Sequence, residues 1–438
     1  MAALVPAPAE DAAEVIVELQ QRFAAAGAGL ALRLWDGREL GSSDGDYRLV
    51  LNHPWSLRAL LVPPNDLQAG ETYLAGAVDV EGSMVAALRD LTRFRDGLTG
   101  RGRLAVARAL LRLPRPPDRD RGGRVSLRGR RHSRRRDAAA IQHHYDVGDA
   151  LYERFLDEDL VYSCAYFADE DRDAPVTDRS VLDRAQRRKL ELVCRKLDLR
   201  AGERLLDVGC GWGSLAIHAA RYHGVEVLGV TLSENQAAEA RERAAAAGVA
   251  DRVRIELCDY RDVTEQFDAI ASIGMAEHVG SDQLERYVAH LYERLSDGGR
   301  LLNHAITTGQ RNVVRDMGES PDSFIGRYVF PDGALVPAHR MAQLIERGGF
   351  ELRDVEQLRP HYARTLEHWV ANIESAYDQI VEEVGPVTAR VWRVYMAGSS
   401  VGFERGELGV VQILATRGNA RLPLDREHLA GLGEGCGR

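Results

Sequence analysis

The chain has 438 residues, 45% of them hydrophobic and 28% charged, with a formal net charge of −9. That is ample apolar material for a packed core, and the length favours two or three domains over one. The five cysteines (Cys164, Cys194, Cys210, Cys258 and Cys436) stand far apart with no C-x-x-C, which argues against a disulfide framework and a metal site and fits reduced thiols in a cytosol. No run of about 18 apolar residues occurs, so no membrane span is expected. The opening MAALVPAPAEDAAEV lacks the basic and long apolar stretches of a signal peptide.

In chain order, EDAAEVIVELQQRFAAA has helical spacing. LALRLWDGREL and YRLVLNHP read as strands around Gly/Asp turns, and GAVDVEGSMVAALRDL as strand, turn and helix. Residues 1–115 are therefore expected to form a small α+β domain. Across 116–137 periodicity is lost to Pro, Gly and Arg; between Arg119 and Arg136 nine arginines face one acid, Asp120. That segment reads as a linker or arm.

Residues 138–438 change character. Helical text runs to about residue 200. Strand and helix then alternate through RLLDVG, GSLAIHAARYHG, VEVLGVTL, SENQAAEARERAAAAG, VRIELCD and FDAIASIG. This alternation predicts βαβ units in a parallel sheet. GRLLNHAI adds a strand, and FELRDVEQLR and GVVQILATR complete the sheet. TLEHWVANIESAYDQIVEEV is expected as one long amphipathic helix.

LLDVGCGWGSLA leaves a strand and opens a helix, with Asp207 at the strand end and Gly209, Gly211 and Gly213 in the turn. Such glycines accept positive φ and let a ligand reach the backbone. A dinucleotide site would place a third glycine where Ser214 stands, and an acid where the next strand ends at Thr231. The pattern D-V-G-x-G-x-G instead resembles the S-adenosylmethionine loop of doubly wound methyltransferases.

Several segments resemble a narrower group: HHYDVGDALYERFLDEDLVYSCAYF, GVTLSENQ, GMAEHVG, LLNHAI, RYVFPDG and HYARTL. From about 140 to 417 the chain resembles the cyclopropane-fatty-acyl-phospholipid synthases. GAVDVEGSMVAAL resembles the small domain preceding catalysis in their phospholipid-acting members. The resemblance implies an α/β fold with a doubly wound, mostly parallel seven-stranded methyltransferase sheet. It also implies S-adenosylmethionine as methyl donor, bound by Tyr162, Ser163, Asp207, Gly209, Gly211, Thr231, Gln236, Asp259 and Tyr260. It further implies a bicarbonate ion, held by backbone at Cys164 and Ile306 and by the side chains of Glu277, His304 and Tyr362. On this reading YSCAYF is an active-site strap, not a thiol nucleophile. His278 is a support residue, and His143 and His144 carry no assigned role.

The chemistry suits that toolkit. An alkene is a weak nucleophile, and its methylation leaves a carbocation. Water must be excluded, and one proton removed by a base too weak to attack the methyl donor. Fixed charge and aromatic faces stabilise such a cation, Phe167 and Tyr328 being the expected faces. The expected substrate is an unsaturated acyl chain in a membrane phospholipid, and the expected place is the cytoplasmic face of the membrane. The Arg-rich segment would meet anionic headgroups at about 1 kcal/mol per basic residue. A nucleic-acid partner is not expected, since no aromatics interleave the arginines. A homodimer is allowed. Two alternatives share the first step or the core: a methylene-branched product, reduced by a separate reductase to a 10-methyl chain, and N-methylation of a small molecule. A lipid carrier with a silent methyltransferase core is opposed by the intact glycine loop.

Overall fold

A computed structural model describes residues 9–25, 30–42, 45–117, 133–134, 136, 148–310, 317–318, 323–429 and 431–432. His143, His144 and most of the Arg-rich segment lie outside these residues. Contacts divide the chain into two units, one within 1–125, 320–329 and 373–401, the other within 126–319, 330–372 and 402–438.

The first unit holds α1 (Ala9–Ala25), β1 (Leu32–Arg33), β2 (Glu39–Leu40), β3 (Tyr47–Leu51), α2 (Ser56–Leu61), α3 (Asp66–Leu74), β4 (Val78–Gly82), α4 (Met84–Gly97) and α5 (Gly100–Arg112). Its sheet runs β2-β1-β3-β4. Ser83 starts α4 by accepting from the Ala86 amide at 3.2 Å. Segments 320–329 and 373–401, read from sequence as part of the larger domain, join this unit for a polar reason. Arg393 donates to the Val80 and Gly82 carbonyls at 3.0 and 2.7 Å and pairs with Glu374 at 2.8 Å. Arg390 pairs with Asp79, and Arg327 bonds Glu71 at 2.5 Å.

The second unit is built on seven strands in the order β12-β13-β9-β8-β5-β6-β7. In chain order it holds α6 (Asp149–Phe155), α7 (Arg179–Lys196), β5 (Arg204–Val208), α8 (Ser214–His223), β6 (Glu226–Thr231), α9 (Glu234–Ala246), β7 (Val253–Leu257), β8 (Phe267–Ile273), α10 (Ala276–Val279), α11 (Leu284–Arg294), β9 (Leu295–Thr308) and β10 (Met317–Gly318). After α12 (Phe324–Tyr328), which lies in the first unit, come β11 (Ala334–Leu335), α13 (Ala338–Arg347), β12 (Glu351–Gln357), α14 (Arg359–Ser375), whose end from residue 373 counts with the first unit, α15 (Tyr377–Glu404), which belongs to the first unit as far as residue 401, and β13 (Leu408–Thr416). Strands β5 to β9 are parallel; β13 runs antiparallel between β9 and β12. This is the doubly wound, mostly parallel sheet expected.

Alternation along the strands makes two cores. Leu205 and Val227 face one side, packed with Leu190 and Val193 of α7 and Ala216 and Ala240 of α8 and α9. Leu206, Val208 and Leu228 face the other, against Leu284 and Leu291 of α11 and Leu344 of α13. The single long helix expected over 365–384 is instead two, with Ala376 between them, and α15 breaks at Gly385 (φ 81°) before Pro386. No described helix is long and apolar enough to cross a membrane.

Arg393 is 6% exposed and satisfies two carbonyls and a carboxylate. Arg393→Met should therefore destabilise the protein by about 3 kcal/mol, read as a lower midpoint in urea unfolding.

Candidate active site

The order of strands reverses at β5, which lies between β6 and β8, so the carboxyl end of β5 is where an open sheet of this kind makes a crevice. The glycine loop leaves there. Gly209, Gly211 and Gly213 have φ of 79°, 55° and 81°, left-handed values that side chains resist. The Gly209 and Cys210 amides both donate to Val230 O at 3.0 Å, tying the loop to β6.

The cleft is lined by Tyr162, Ser163, Asp207, Gly209, Gly211, Thr231, Gln236 and Tyr260, all expected. Thr231 donates to Gln236 Oε1 at 2.9 Å, and Ser233 caps α9. Asp259 is not among the lining residues. It lies beside an adjoining hollow with Ser133, Arg134 and Arg261. Arg261 takes both its carboxylate oxygens, at 2.8 and 2.5 Å. Burial would raise the Asp259 pKa, but the Arg261 bonds outweigh it and hold the group below its ordinary value. Lys189, Trp212, Leu232, Cys258, Met275 and His278 also line the cleft and were not singled out for it from sequence.

The strap is pinned from several directions. Asp157 Oδ1 accepts from the Val161 amide at 2.9 Å, and Gln186 donates to the Val161 and Ser163 carbonyls at 3.2 and 2.9 Å. Lys189 Nζ donates to Ser163 Oγ at 2.9 Å. The Ala165 amide donates to Thr365 Oγ1 at 3.0 Å and the Phe167 amide to His361 Nδ1 at 3.1 Å. Cys164 is fully buried, with Sγ 3.3 Å from Ala165 O and 3.8 Å from Leu358 O. Burial pushes its thiol well above the ordinary range, so it stays protonated.

The five residues expected at the anion are joined by one chain of contacts. Tyr362 N donates to Leu358 O at 3.1 Å, the carbonyl that also faces Cys164. Leu358 N donates to Val410 O at 2.9 Å, and Val410 pairs with Ile306 across β13 and β9. The Ile306 amide donates to Glu277 Oε1 at 2.6 Å. His304, two residues earlier on β9, pairs with Gln412, and its carbonyl accepts from Gly274, a cleft residue, at 2.9 Å.

Among the described residues, two buried polar atoms in this group have no partner: Glu277 Oε2 and His304 Nε2. Burial raises the Glu277 pKa to about 7, opposed by the bond from Ile306. Burial lowers His304 to about 3, helped by Lys189 and Lys196, so the imidazole is neutral near pH 7. A neutral imidazole and a carboxyl that titrates near neutrality are donors for a small anion, so these residues fit one.

Aromatic rings surround the strap. Tyr162 lies 5.3 Å from Trp369 and 5.4 Å from Tyr152, and Tyr362 lies 4.6 Å from Phe403, between centroids. Of the two faces expected, Phe167 stacks on His361 and His368, and Tyr328 belongs to the first unit, where its hydroxyl donates to Glu71 at 3.4 Å. Away from the cleft, Cys194, His218 and His223 bring three donor atoms within 4.8 Å of one another, a grouping the cysteine spacing did not predict. Both ring Nε2 atoms already bond Glu191 Oε2, at 3.1 and 3.0 Å.

A glycine loop at the switch point, facing a cleft closed by the strap, defines an S-adenosylmethionine-dependent methyltransferase. Residues 132–413 match the family described as mycolic acid cyclopropane synthetase. A probable fatty acid methyltransferase of Pseudomonas putida is 38% identical over 407 residues, covering 91% of this chain and 96% of its own. A tuberculostearic acid methyltransferase of Mycobacterium tuberculosis is 34% identical over 388 residues, covering 86% and 85%. A solved mycolic acid cyclopropane synthase, complexed with S-adenosylhomocysteine and CTAB, is 31% identical with a TM-score of 0.58, covering 64% of this chain and 98% of its own. The chain belongs to the mycolic acid cyclopropane synthetase family.

A valine at Gly209 (φ 79°) would be strained by about 1–3 kcal/mol and would crowd the cofactor side of the loop. Gly209→Val should abolish S-adenosylmethionine binding in titration calorimetry while the protein stays folded. Glu277 gives a pH signature. Its raised pKa means that the fold disfavours its charge, a penalty absent below its ordinary 4.5 and complete above about 7. Glu277→Gln should therefore match wild-type stability at acid pH and exceed it by about 3 kcal/mol above neutrality, measured by denaturant unfolding at several pH values.

Proposed function

We propose that this enzyme transfers the methyl group of S-adenosylmethionine to the cis double bond of an unsaturated acyl chain in a phospholipid and closes a cyclopropane ring. The observation that carries this reading is that Glu277 Oε2 and His304 Nε2 are buried with no partner among the described residues, on segments that adjoin the cofactor cleft through Met275, His278 and Gly274, in a member of this family. The cofactor supplies an electrophilic methyl. The rings of Tyr162, Tyr362, Trp369 and Phe403 offer faces to the developing cation, each worth about 0.5–2 kcal/mol. The same burial keeps water from trapping it. Glu277, near neutrality, shares a proton with an anion, and His304 donates to it. A bicarbonate ion held by these two, by Tyr362 and by the backbone at Cys164 and Ile306 would supply a weakly basic oxygen for proton removal. Cys164 fills space and carries backbone; its buried thiol is no nucleophile.

The relative named tuberculostearic acid methyltransferase supports a second reading, in which a neighbouring chain carbon loses the proton and the product is methylene-branched. Mass spectrometry of lipids from cells expressing this protein alone should show unsaturated chains heavier by one methylene. Mild hydrogenation saturates a branch and spares the ring, so resistance to it supports the first reading and uptake of hydrogen the second. Chains of unchanged mass would sink both.

On phospholipid vesicles, Glu277→Gln and Tyr362→Phe should each lower turnover by ~10²–10⁴ with cofactor affinity kept. Cys164→Ala and Cys164→Ser should stay active. Inactive cysteine variants beside a near-normal Tyr362→Phe would instead mean a nucleophilic thiol.

The Arg-rich segment is proposed to bring the enzyme to the bilayer. Arg134 pairs with Asp262 at 2.8 Å and Arg136 with Asp332 at 2.6 and 2.9 Å, so these two are engaged within the protein. Replacing Arg119, Arg121, Arg124, Arg128, Arg130 and Arg131 by Gln should weaken co-sedimentation with anionic vesicles and its salt dependence, leaving cofactor affinity unchanged. Unaltered co-sedimentation would leave the segment a linker.

A further inference from the structure

His304 can carry its hydrogen on either ring nitrogen, and the choice decides whether the buried Nε2 donates or accepts. The surroundings make that choice. Lys196 Nζ lies 2.9 Å from Gln412 Oε1, also donates to Glu356, and forms an ion pair with Asp354 at 3.4 Å. An ammonium has three hydrogens and no lone pair, so all three partners must accept. Gln412 must therefore turn its oxygen to Lys196, which leaves its NH₂ facing His304 Nδ1 at 3.2 Å. An NH₂ only donates. Nδ1 must accept, and in a neutral ring the hydrogen then sits on Nε2. Glu356 also receives the Tyr166 hydroxyl, at 3.2 Å, so the strap and His304 hang on one network.

We propose that Lys196 and Gln412 are positioning residues that lock His304 in the tautomer with hydrogen on Nε2, leaving an N–H donor for the anion. This rests on the anion-site reading above and deepens it. The chain itself gives an independent sign. Of 57 basic residues only Lys189 and Lys196 are lysine. Both are 2% exposed, and they lie seven positions apart on α7, where both serve this site. A planar guanidinium does not reproduce the three tetrahedral donors of an ammonium.

The test is ¹⁵N NMR of the full-length protein with labelled histidine, the His304 signals being assigned by their loss in His304→Gln. Wild type should show a protonated Nε2 and an unprotonated Nδ1 at neutral pH. In Gln412→Glu the carboxylate still accepts from Lys196 but can only accept from the ring, so the hydrogen should move to Nδ1. Turnover should fall ~10–100-fold with S-adenosylmethionine affinity unchanged. Gln412→Met, which offers the ring no partner, should show a tautomer mixture and intermediate turnover; it stands in if the glutamate variant does not fold. A wild-type Nε2 without hydrogen, or a tautomer indifferent to both Gln412 variants, overturns the proposal. If the tautomer moves and turnover does not, the catalytic role falls, and Glu277→Gln then decides the underlying reading. Loss of turnover there keeps the anion site without the relay; retention removes both.

Discussion

Glu277 keeps one carboxylate oxygen on the Ile306 amide and the other out of water with no partner among the described residues. Burying an unsatisfied charged oxygen is among the least favourable things a fold can do, so the rest of the second unit has to hold it there. It does so by register. β9 lies between β8 and β13, which places Ile306 and His304 two apart on one strand. α10 begins three residues after β8 ends and brings Glu277 over the same edge. Raising the carboxyl to about 7 relieves the penalty, since the group can be neutral when nothing is bound. The same shift leaves it ready to share a proton.

The odd composition of YSCAYF follows from that constraint. A strap beside a dry site has to be held by its own backbone: the Ser163 carbonyl accepts from Gln186, and the amides of Ala165, Tyr166 and Phe167 go to Thr365, the Ala185 carbonyl and His361. Its side chains do separate things. Tyr162 joins the aromatic wall, Cys164 fills a space with little room, and Tyr166 reaches Glu356. A small thiol is useful here because it is compact and apolar, and burial keeps it unreactive.

α7 shows how one helix serves both core and site. Its inward face carries Leu182, Ala185, Leu190 and Val193 as core, but also Gln186, Lys189 and Lys196. Three polar residues on a buried face look like errors of patterning until their partners are known. Lys189 donates to the strap and Lys196 to Gln412, and the Gln186 amide donates to the strap while its Oε1 stays without a partner among the described residues, so the helix ties the two halves of the site together through these three side chains.

Local pattern alone determined a good deal of this protein. Strand and helix alternation after residue 200 announced the parallel sheet, because period and length are local properties. Three glycines after Asp207 announced the cleft, because positive φ leaves a mark on composition. Gln186, Lys189 and Gln412 carry no such mark. Whether each is solvated, packed or catalytic depends on residues 23 to 216 positions away, brought near only when β13 inserts beside β9 and α7 packs on the sheet. The segments 320–329 and 373–401 went unread for the same reason: Arg390 and Arg393 look like surface charge in sequence, and only the folded chain sets them against Asp79 and the carbonyls of β4. Secondary structure is written within a few residues, whereas the partner of a buried polar group is a long-range contact, and only the tertiary structure supplies it.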